Sequence, residues 1–301
     1  MAGASRGHSS RWQADLALVA NTLIWGSTFV VVKQALTGIS PLLFLAFRFS
    51  IAAVALVLAF RGRWGRQVDT RYSLKAGVLT GVLLFAGFVF QTLGLRLTSA
   101  SKSAFLTGLS IALVPFVGSL VYRTVPHWMD VVGVVIATCG MGLMTLGGTS
   151  LDLSRGDLLT IGCAVAFAAH IVALGHFSKK VSFERLSVLQ VGTAAVLALS
   201  GFWWLETPRF RPSAEVWAAL IVTGLLATAL AFSWQAWAQQ YTTATRTAVI
   251  FALEPVFAWL TAYLLAGELL SRRAVLGAAL ILAGILVVEL KPARPVPNPS
   301  Q

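Results

Sequence analysis

Glu254 has the most chemistry to offer in this chain: it stands near the middle of a long apolar stretch, with Pro255 directly behind it. A carboxylate at that depth costs about 2.5–3.5 kcal/mol on insertion scales, so it has to be neutralised, paired or wetted. Its ionisation then depends on its exposure, and a carboxylate whose exposure alternates is what coupling to protons requires. Pro255 carries no backbone donor, which frees a carbonyl near Phe251 and favours a kink there. The plainer reading is a structural pair with a buried cation, and Arg48 is the candidate. Arg48 lies about 10 Å in from Pro41 at helical rise, too deep to reach the surface comfortably. It needs a carboxylate, helix-end carbonyls or an anionic ligand, and either touches a ligand or locks its helix against a neighbour.

Other polar residues join these two. Ser103, Thr107, Ser110 and Val114 recur at i, i+4, i+7 and i+11, so they share one helix face. Such a stripe turns inward, either to line a cavity or to hydrogen-bond a neighbouring helix. Trp25 sits mid-helix, where it is packing or a cavity wall; its ring suits an amine or aromatic solute. His170 is alone in an apolar helix, in register with Thr28 142 residues earlier, and is either a packing residue or part of a cavity lining. Gln91 and Gln235 carry amides suited to gate hydrogen bonds near opposite mouths, or to bridging helix ends. No catalytic set is evident. The histidines (His8, His127, His170, His176) lack metal spacing with carboxylates, and neither a Ser/His/Asp arrangement nor a Walker motif is present. The chain is therefore expected to work without a metal or cofactor. A membrane-embedded enzyme would need acid, base or metal groups converging at one depth.

The elements that position these residues are membrane spans. Of 301 residues, 57% are hydrophobic and 11% charged, with mean hydropathy +0.80, which excludes an ordinary soluble domain. The net charge of +12 fits basic loops beside a lipid bilayer better than nucleic-acid binding. Cys139 and Cys163 sit in apolar runs and read as small buried apolar residues. Windows of about 20 residues place spans at 15–32, 41–60, 74–95, 102–122, 129–146, 156–177, 186–205, 215–237, 246–265 and 274–290. Residues 1–14 and 291–301 read as disordered tails and 147–155 as a polar link. The run from Leu16 to Val32 is long for a signal peptide and reads as the first span. With the N-terminus inside, fourteen basic residues fall on inner segments and eight on outer ones, which places both termini in the cytoplasm. Trp12, Trp64, Trp128, Trp203, Trp204 and Trp217 fall near span ends, as interfacial anchors do.

The stretch Gln91–Gly140 occurs twice. At an offset of 144, Gln91 meets Gln235, Thr98 meets Thr242, Lys102 meets Arg246, Gly133 meets Gly277 and Gly140 meets Gly284, without a gap. The images of Ser103, Thr107, Ser110 and Val114 are Thr247, Phe251, Glu254 and Ala258. Five crossings per half force the second copy to enter from the opposite side, so the halves (15–146 and 156–290) are inverted about an axis in the membrane plane. The expected fold is thus all-α integral membrane, ten helices as two inverted five-helix repeats. The heptad-spaced glycines let helices 5 and 10 pack closely or form a homodimer contact, Gly77 and Gly81 give helix 3 a small face, and Lys102 and Arg246 should snorkel at the interface.

Trp25-Gly26, Lys33, Pro41 and Arg48, then Thr98-Ser99-Ala100, Leu253-Glu254-Pro255, Gly267-Glu268, Gly277 and Gly284, resemble an EamA-type member of the drug/metabolite transporter superfamily. The resemblance covers residues 15–290 and implies a central cavity lined mainly by helices 1, 3, 4, 6, 8 and 9. It also implies movement of small metabolites, often amino acids and usually outward, across an inner membrane. The first half departs from the pattern, with Ser110-Ile111 where the second has Glu254-Pro255. The expected substrate-facing set is Trp25, Thr28, Gln91, Thr107, Ser110, His170, Gln235, Phe251 and Glu254, with Arg48 in support. The expected partners are a small-molecule substrate and the bilayer, with protons if Glu254 is the coupling site. A flippase for lipid or undecaprenyl carriers on the same fold, and an ion channel, are the alternative readings.

Overall fold

The computed structural model describes residues 2–63, 69–98, 100–145, 154–258, 260 and 271–290. The regular elements are helices: α1 (Ala2–Ala35), α2 (Pro41–Ala59), α3 (Thr70–Leu97), α4 (Ala100–Gly108), α5 (Ser110–Tyr122) and α6 (Trp128–Thr145). Then follow α7 (Arg155–Phe177), α8 (Phe183–Leu205), α9 (Ala214–Gly224), a π-helical turn (Leu225–Leu230), α10 (Ala231–Ala238), α11 (Ala244–Phe251) and α12 (Arg272–Glu289). Among the described residues, seven stretches are long and apolar enough to cross a bilayer, and Trp128–Leu143 is apolar but shorter. The chain is a multi-pass membrane protein. Trp12, Trp128, Trp203, Trp204 and Trp217 are exposed near the ends of apolar stretches, while Trp64 lies outside the described residues, as do 291–301 and most of the 147–155 link.

Local chemistry sets the helix boundaries. Pro41 opens α2, where its missing donor costs nothing. Ser154 and Asp157 form a reciprocal capping box at the start of α7, with Asp157 N to Ser154 Oγ at 3.1 Å and Ser154 N to Asp157 Oδ2 at 2.8 Å. The stretch 1–14, expected as a disordered tail, is instead helical from Ala2 and runs straight into the first span. It contains no proline, and extending an existing helix needs no new nucleus.

Two expected spans are locally irregular rather than regular α-helix throughout. The span expected at 102–122 turns at Leu109, between α4 and α5, and the one expected at 246–265 turns at Ala252 and Leu253 before resuming at 254–258. Leu109 and Leu253 are repeat partners, 144 residues apart. In the second half Pro255 offers no N–H to the Phe251 carbonyl, so the chain tightens: Ala252 N reaches Val249 O at 3.1 Å and Leu253 N reaches Ile250 O at 3.0 Å. The first half breaks without a proline at the matching position. There Leu109 N is shared between Phe105 O and Leu106 O, both at 3.2 Å, beside Gly108, whose absent Cβ leaves room for Met141 Sδ. Residues 261–270, including Gly267 and Glu268, lie outside the described residues.

Close packing follows the glycines. On α3, Gly77 and Gly81 lie against Leu189 and Thr193 of α8, and a Cβ on Gly81 would stand 2.6 Å from Gln190 O. On α6, Gly133 faces Gly284 of α12 and Gly140 faces Gly277; added Cβ atoms would sit 2.7 and 2.5 Å from the opposing carbonyl oxygens. Helices α6 and α12 thus pack on each other, and these glycine faces are taken up within one chain. Cys139, expected buried, is exposed on α6, where the surroundings are lipid and an apolar thiol costs little; Cys163 is buried.

The buried side chains form two main apolar clusters, one around α2, α3 and α8, the other around α5, α6, α7 and α11, and Trp25 packs on both. At one end, Ile39 bridges to Phe210, with Ser40 N to Arg209 O at 2.9 Å and Arg211 N to Gly38 O at 2.7 Å. Elsewhere Phe60 stacks edge-on to Phe183 and Tyr72 to Phe177, so the α2–α3 and α7–α8 connections lie side by side.

Candidate functional site

Between the two clusters lies a cavity of about 90 Å³, and all ten residues of the expected set line it. A single water needs roughly 10–15 Å³ of such space, so there is room for several waters or a small organic group. The breaks at Leu109 and Leu253 bring Ser110 and Glu254 to the cavity at the first residues of the resumed helices. Of the stripe on the fourth span, Thr107 and Ser110 reach the cavity, whereas Ser103 and Val114 are buried away from it.

Glu254 is half-buried, and among the described residues its carboxylate accepts no hydrogen bond and forms no ion pair. The structural pairing of Glu254 with Arg48 is therefore not found. Its backbone is fixed from behind by Gly26: a Cβ there would lie 2.6 Å from Glu254 O and 2.9 Å from Ala258 N. Arg48 is 4% exposed and satisfied differently, with Nε donating to Thr228 Oγ1 at 2.7 Å and Nη2 to Ala227 O at 3.4 Å. Its guanidinium lies 4.2 Å over the Phe88 ring.

The π-helical turn explains that arrangement. Its wider i→i+5 register leaves carbonyls turned outward, and Ala227 O takes both the Arg48 guanidinium and Trp25 Nε1, the latter at 2.9 Å. Thr228 Oγ1 donates to Thr223 O at 2.8 Å, so it accepts from Arg48 with its remaining capacity. One turn on, Asn21 Nδ2 donates to Ala231 O at 2.8 Å. Trp25 is thereby held with its ring 4.9 Å from Phe251 and 5.4 Å from Phe232.

The amides complete the lining. Gln91 Nε2 donates to Thr107 Oγ1 at 3.3 Å, and Gln235 Nε2 to Gln239 Oε1 at 3.3 Å. Both reach the same cavity, from α3 and α10. His170 shares a 2.9 Å hydrogen bond with buried Gln190 and lies edge-on to Phe232. Thr28 Oγ1 donates to Trp25 O at 2.8 Å.

Phe88, Phe167, Phe232, Gln190, Gln239 and Thr228 contribute to the site without having been singled out from sequence, and the repeat carries a signal for most of them. Phe88 and Phe232 are 144 apart, Trp25 and Phe167 are 142 apart, and Gln190 falls 142 after Arg48. Seven pairs of lining residues are related in this way: Trp25/Phe167, Thr28/His170, Phe29/Ile171, Phe88/Phe232, Gln91/Gln235, Thr107/Phe251 and Ser110/Glu254. The other lining residues, Val32, Arg48, Thr92, Leu95, Gly108 and Ile111, all come from the first half.

Known proteins resemble this chain over most of its length. The model of the EamA-like transporter family matches residues 12–146 and again 154–290. An uncharacterized transporter of Archaeoglobus fulgidus is 36% identical over 282 residues, spanning 93% of this chain and 87% of its own length. The uncharacterized transporter YoaV of Bacillus subtilis is 25% identical over 281 residues, 90% of this chain and 95% of its own. A protein of known crystal structure superposes with TM-score 0.76 at 21% identity, covering 92% of this chain and 98% of that one, a likeness of fold alone.

Proposed function

The chain belongs to the EamA-like transporter family and is a membrane transporter; from that premise we propose that it carries a small organic solute, an amino acid or related metabolite, by alternating access. The two moving parts are the inverted halves 15–146 and 156–290 of a ten-helix fold, joined by the 147–155 link. Both termini face the cytoplasm across an inner membrane, and the direction is efflux. The observation that carries this reading is the repeat-related pairing of the cavity lining, from Trp25/Phe167 to Ser110/Glu254. A binding site built around paired residues of two inverted halves is reachable from either side when the halves exchange conformations. The α6–α12 contact supports the same reading, because inversion carries the Gly133–Gly284 contact onto Gly277–Gly140, and both contacts are present.

The substrate-binding residues in this proposal are Trp25, Thr28, Arg48, Gln91, Thr107, Ser110, His170, Gln235, Phe251 and Glu254, all on the cavity wall. Glu254 is the proposed proton site, since it is the lining carboxylate and lacks a partner among the described residues. The test is uptake of a panel of labelled metabolites by vesicles containing the purified protein, with and without an imposed pH gradient. Saturable, gradient-dependent flux of one solute class is expected. Ohmic current, or turnover in detergent without a second compartment, would replace the carrier with a channel or an enzyme.

A further inference from the structure

Two acceptors on the cavity wall, Gln235 Oε1 and the Glu254 carboxylate, have no donor among the described residues, and the hydrogen bonds show how the first arises. The Ile171 carbonyl can only accept, and Gln239 donates Nε2 to it at 3.0 Å, which turns Gln239 Oε1 toward Gln235. Gln235 must then give its own Nε2 to Gln239 Oε1, which leaves Gln235 Oε1 outside this chain of bonds. Gln235 is 1% exposed, lines the cavity, and its Oε1 has no hydrogen-bond partner among the described residues. The Glu254 carboxylate is likewise without a donor among the described residues. Several donors of the wall are already engaged: Trp25 Nε1 and an Arg48 Nη with Ala227 O, Arg48 Nε with Thr228, and Gln91 Nε2 with Thr107.

Buried acceptors without donors are expensive and call for a ligand that supplies N–H groups. An ammonium head has three donors and no acceptor, which suits a carboxylate and an amide oxygen carried by residues of one cavity wall. The rings of Trp25 and Phe251, 4.9 Å apart, add π faces that attract a cation and apolar surface that accepts a hydrocarbon body. A neutral ligand would leave Glu254 without a counter-charge, and an anionic one without an ammonium would suit Arg48, already bonded to Thr228 and Ala227 O, while bringing like charge to Glu254.

We infer that the solute carried is one bearing a protonated primary amine on an apolar body, its ammonium held by Glu254 and Gln235 Oε1 and its body against Trp25 and Phe251. This inference rests on the proposed carrier reading and narrows its substrate class.

The experiment measures calorimetric binding of three probes of matched size, phenethylamine, phenethyl alcohol and hydrocinnamate, to the detergent-purified full chain, followed by flux of each in vesicles. The amine is expected to bind saturably, with the alcohol and the carboxylate at least roughly tenfold weaker. Glu254→Gln is expected to weaken the amine by roughly 10- to 100-fold and leave the alcohol unchanged. The comparison among probes on the unmodified chain stands even if that variant folds poorly. Equal or tighter binding of hydrocinnamate or the alcohol, no binding of the amine, or an unchanged amine affinity in a folded Glu254→Gln overturns the assignment. Amine binding without flux would instead sink the carrier reading and leave the amine site standing. Flux of hydrocinnamate without flux of the amine would do the reverse.

Discussion

Arg246 grips Asp15 with two hydrogen bonds, Nε to Oδ1 at 3.1 Å and Nη2 to Oδ2 at 2.6 Å, tying the start of α11 to the first span. The sequence suggests that Arg246 snorkels to the interface; instead it finds a carboxylate in a helix 231 residues away. At the other end of α1, Lys33 donates to the carbonyls of Leu95 and Thr98, and Thr98 Oγ1 donates to Asp157 Oδ1 at 2.8 Å. Asp157 lies 142 residues after Asp15, so the repeat puts related carboxylates near opposite ends of the first span, Arg11–Ala35. The image of Arg246 is Lys102, whose side chain lies outside the described residues.

Asp15→Asn and Arg246→Gln should each loosen the end of the molecule that this pair closes. The pair is largely shielded, with side chains 12% and 21% exposed, so screening by water is incomplete. A double-mutant cycle on thermal stability in detergent should give a coupling of roughly 0.5–3 kcal/mol. The exchanged pair Asp15→Arg with Arg246→Asp should recover part of it. Strict additivity of the single changes would mean that the contact contributes nothing.

Gly26 should tolerate no side chain. A methyl there would press on Glu254 O at 2.6 Å and Ala258 N at 2.9 Å, both backbone atoms that cannot rotate aside. Gly26→Ala is expected to cost about 1–3 kcal/mol from overpacking and Gly26→Val more. Since the strained contact is with the backbone of Glu254, transport should fall more steeply than folded yield. Gly192→Ala is the control: a Cβ at Gly192 meets nothing within 4 Å, and the helix gains by losing a glycine. Its melting temperature should hold or rise.

Thr228→Val keeps shape and removes the acceptor for Arg48 Nε, leaving a buried guanidinium with one partner fewer. That should cost about 1–3 kcal/mol. Arg48→Lys should not rescue it, because an ammonium cannot span Thr228 Oγ1 and Ala227 O with a planar fork while lying over Phe88. Thermal melts of the single and double variants decide this, and an Arg48→Lys variant as stable as the original would contradict it.

Much of the site was legible because the chain states it twice. The ten expected residues, eight of them polar in apolar surroundings, meet at one cavity, and a buried polar side chain in a span has few other places to go. Of the partners open to Arg48, a carbonyl is one that it finds and the Glu254 carboxylate is not, and that carbonyl is released by a π-helical turn that leaves no composition signal. The helix break at Leu253 has a visible cause in Pro255; its twin at Leu109 has none in the residue after Ser110, and only the repeat points to it. The ion pair of Asp15 was hidden because residues 1–14 read as a tail and its helix begins earlier.

If Glu254 is the proton site, Glu254→Gln should flatten the pH dependence of uptake in vesicles and abolish stimulation by an imposed gradient. Exchange of labelled for unlabelled solute should continue at a reduced rate, because the other nine proposed substrate-binding residues remain. Retention of full gradient stimulation would end the coupling proposal while leaving the carrier intact.

The cavity's asymmetry gives a prediction about motion. Val32 and Leu95 line it from the far ends of α1 and α3, while their images, Leu174 at offset 142 and Gln239 at offset 144, are fully buried and stand outside the lining. Gln239 is held by Gln235 and Ile171 O, and Leu174 lies in the third apolar cluster with Ala76 and Ala236. Exchange of the halves would trade these roles, opening a path past Leu174 as the one past Val32 closes. In a background lacking Cys139 and Cys163, Val32→Cys should therefore react with a membrane-impermeant thiol reagent from one side only. Leu174→Cys should react from the other side, and a bound solute should shift the two rates in opposite directions. Both side chains are apolar and neither change removes a hydrogen bond, so altered labelling would report access and not unfolding. Labelling of both positions from one side, or in parallel, would mean that the halves do not exchange.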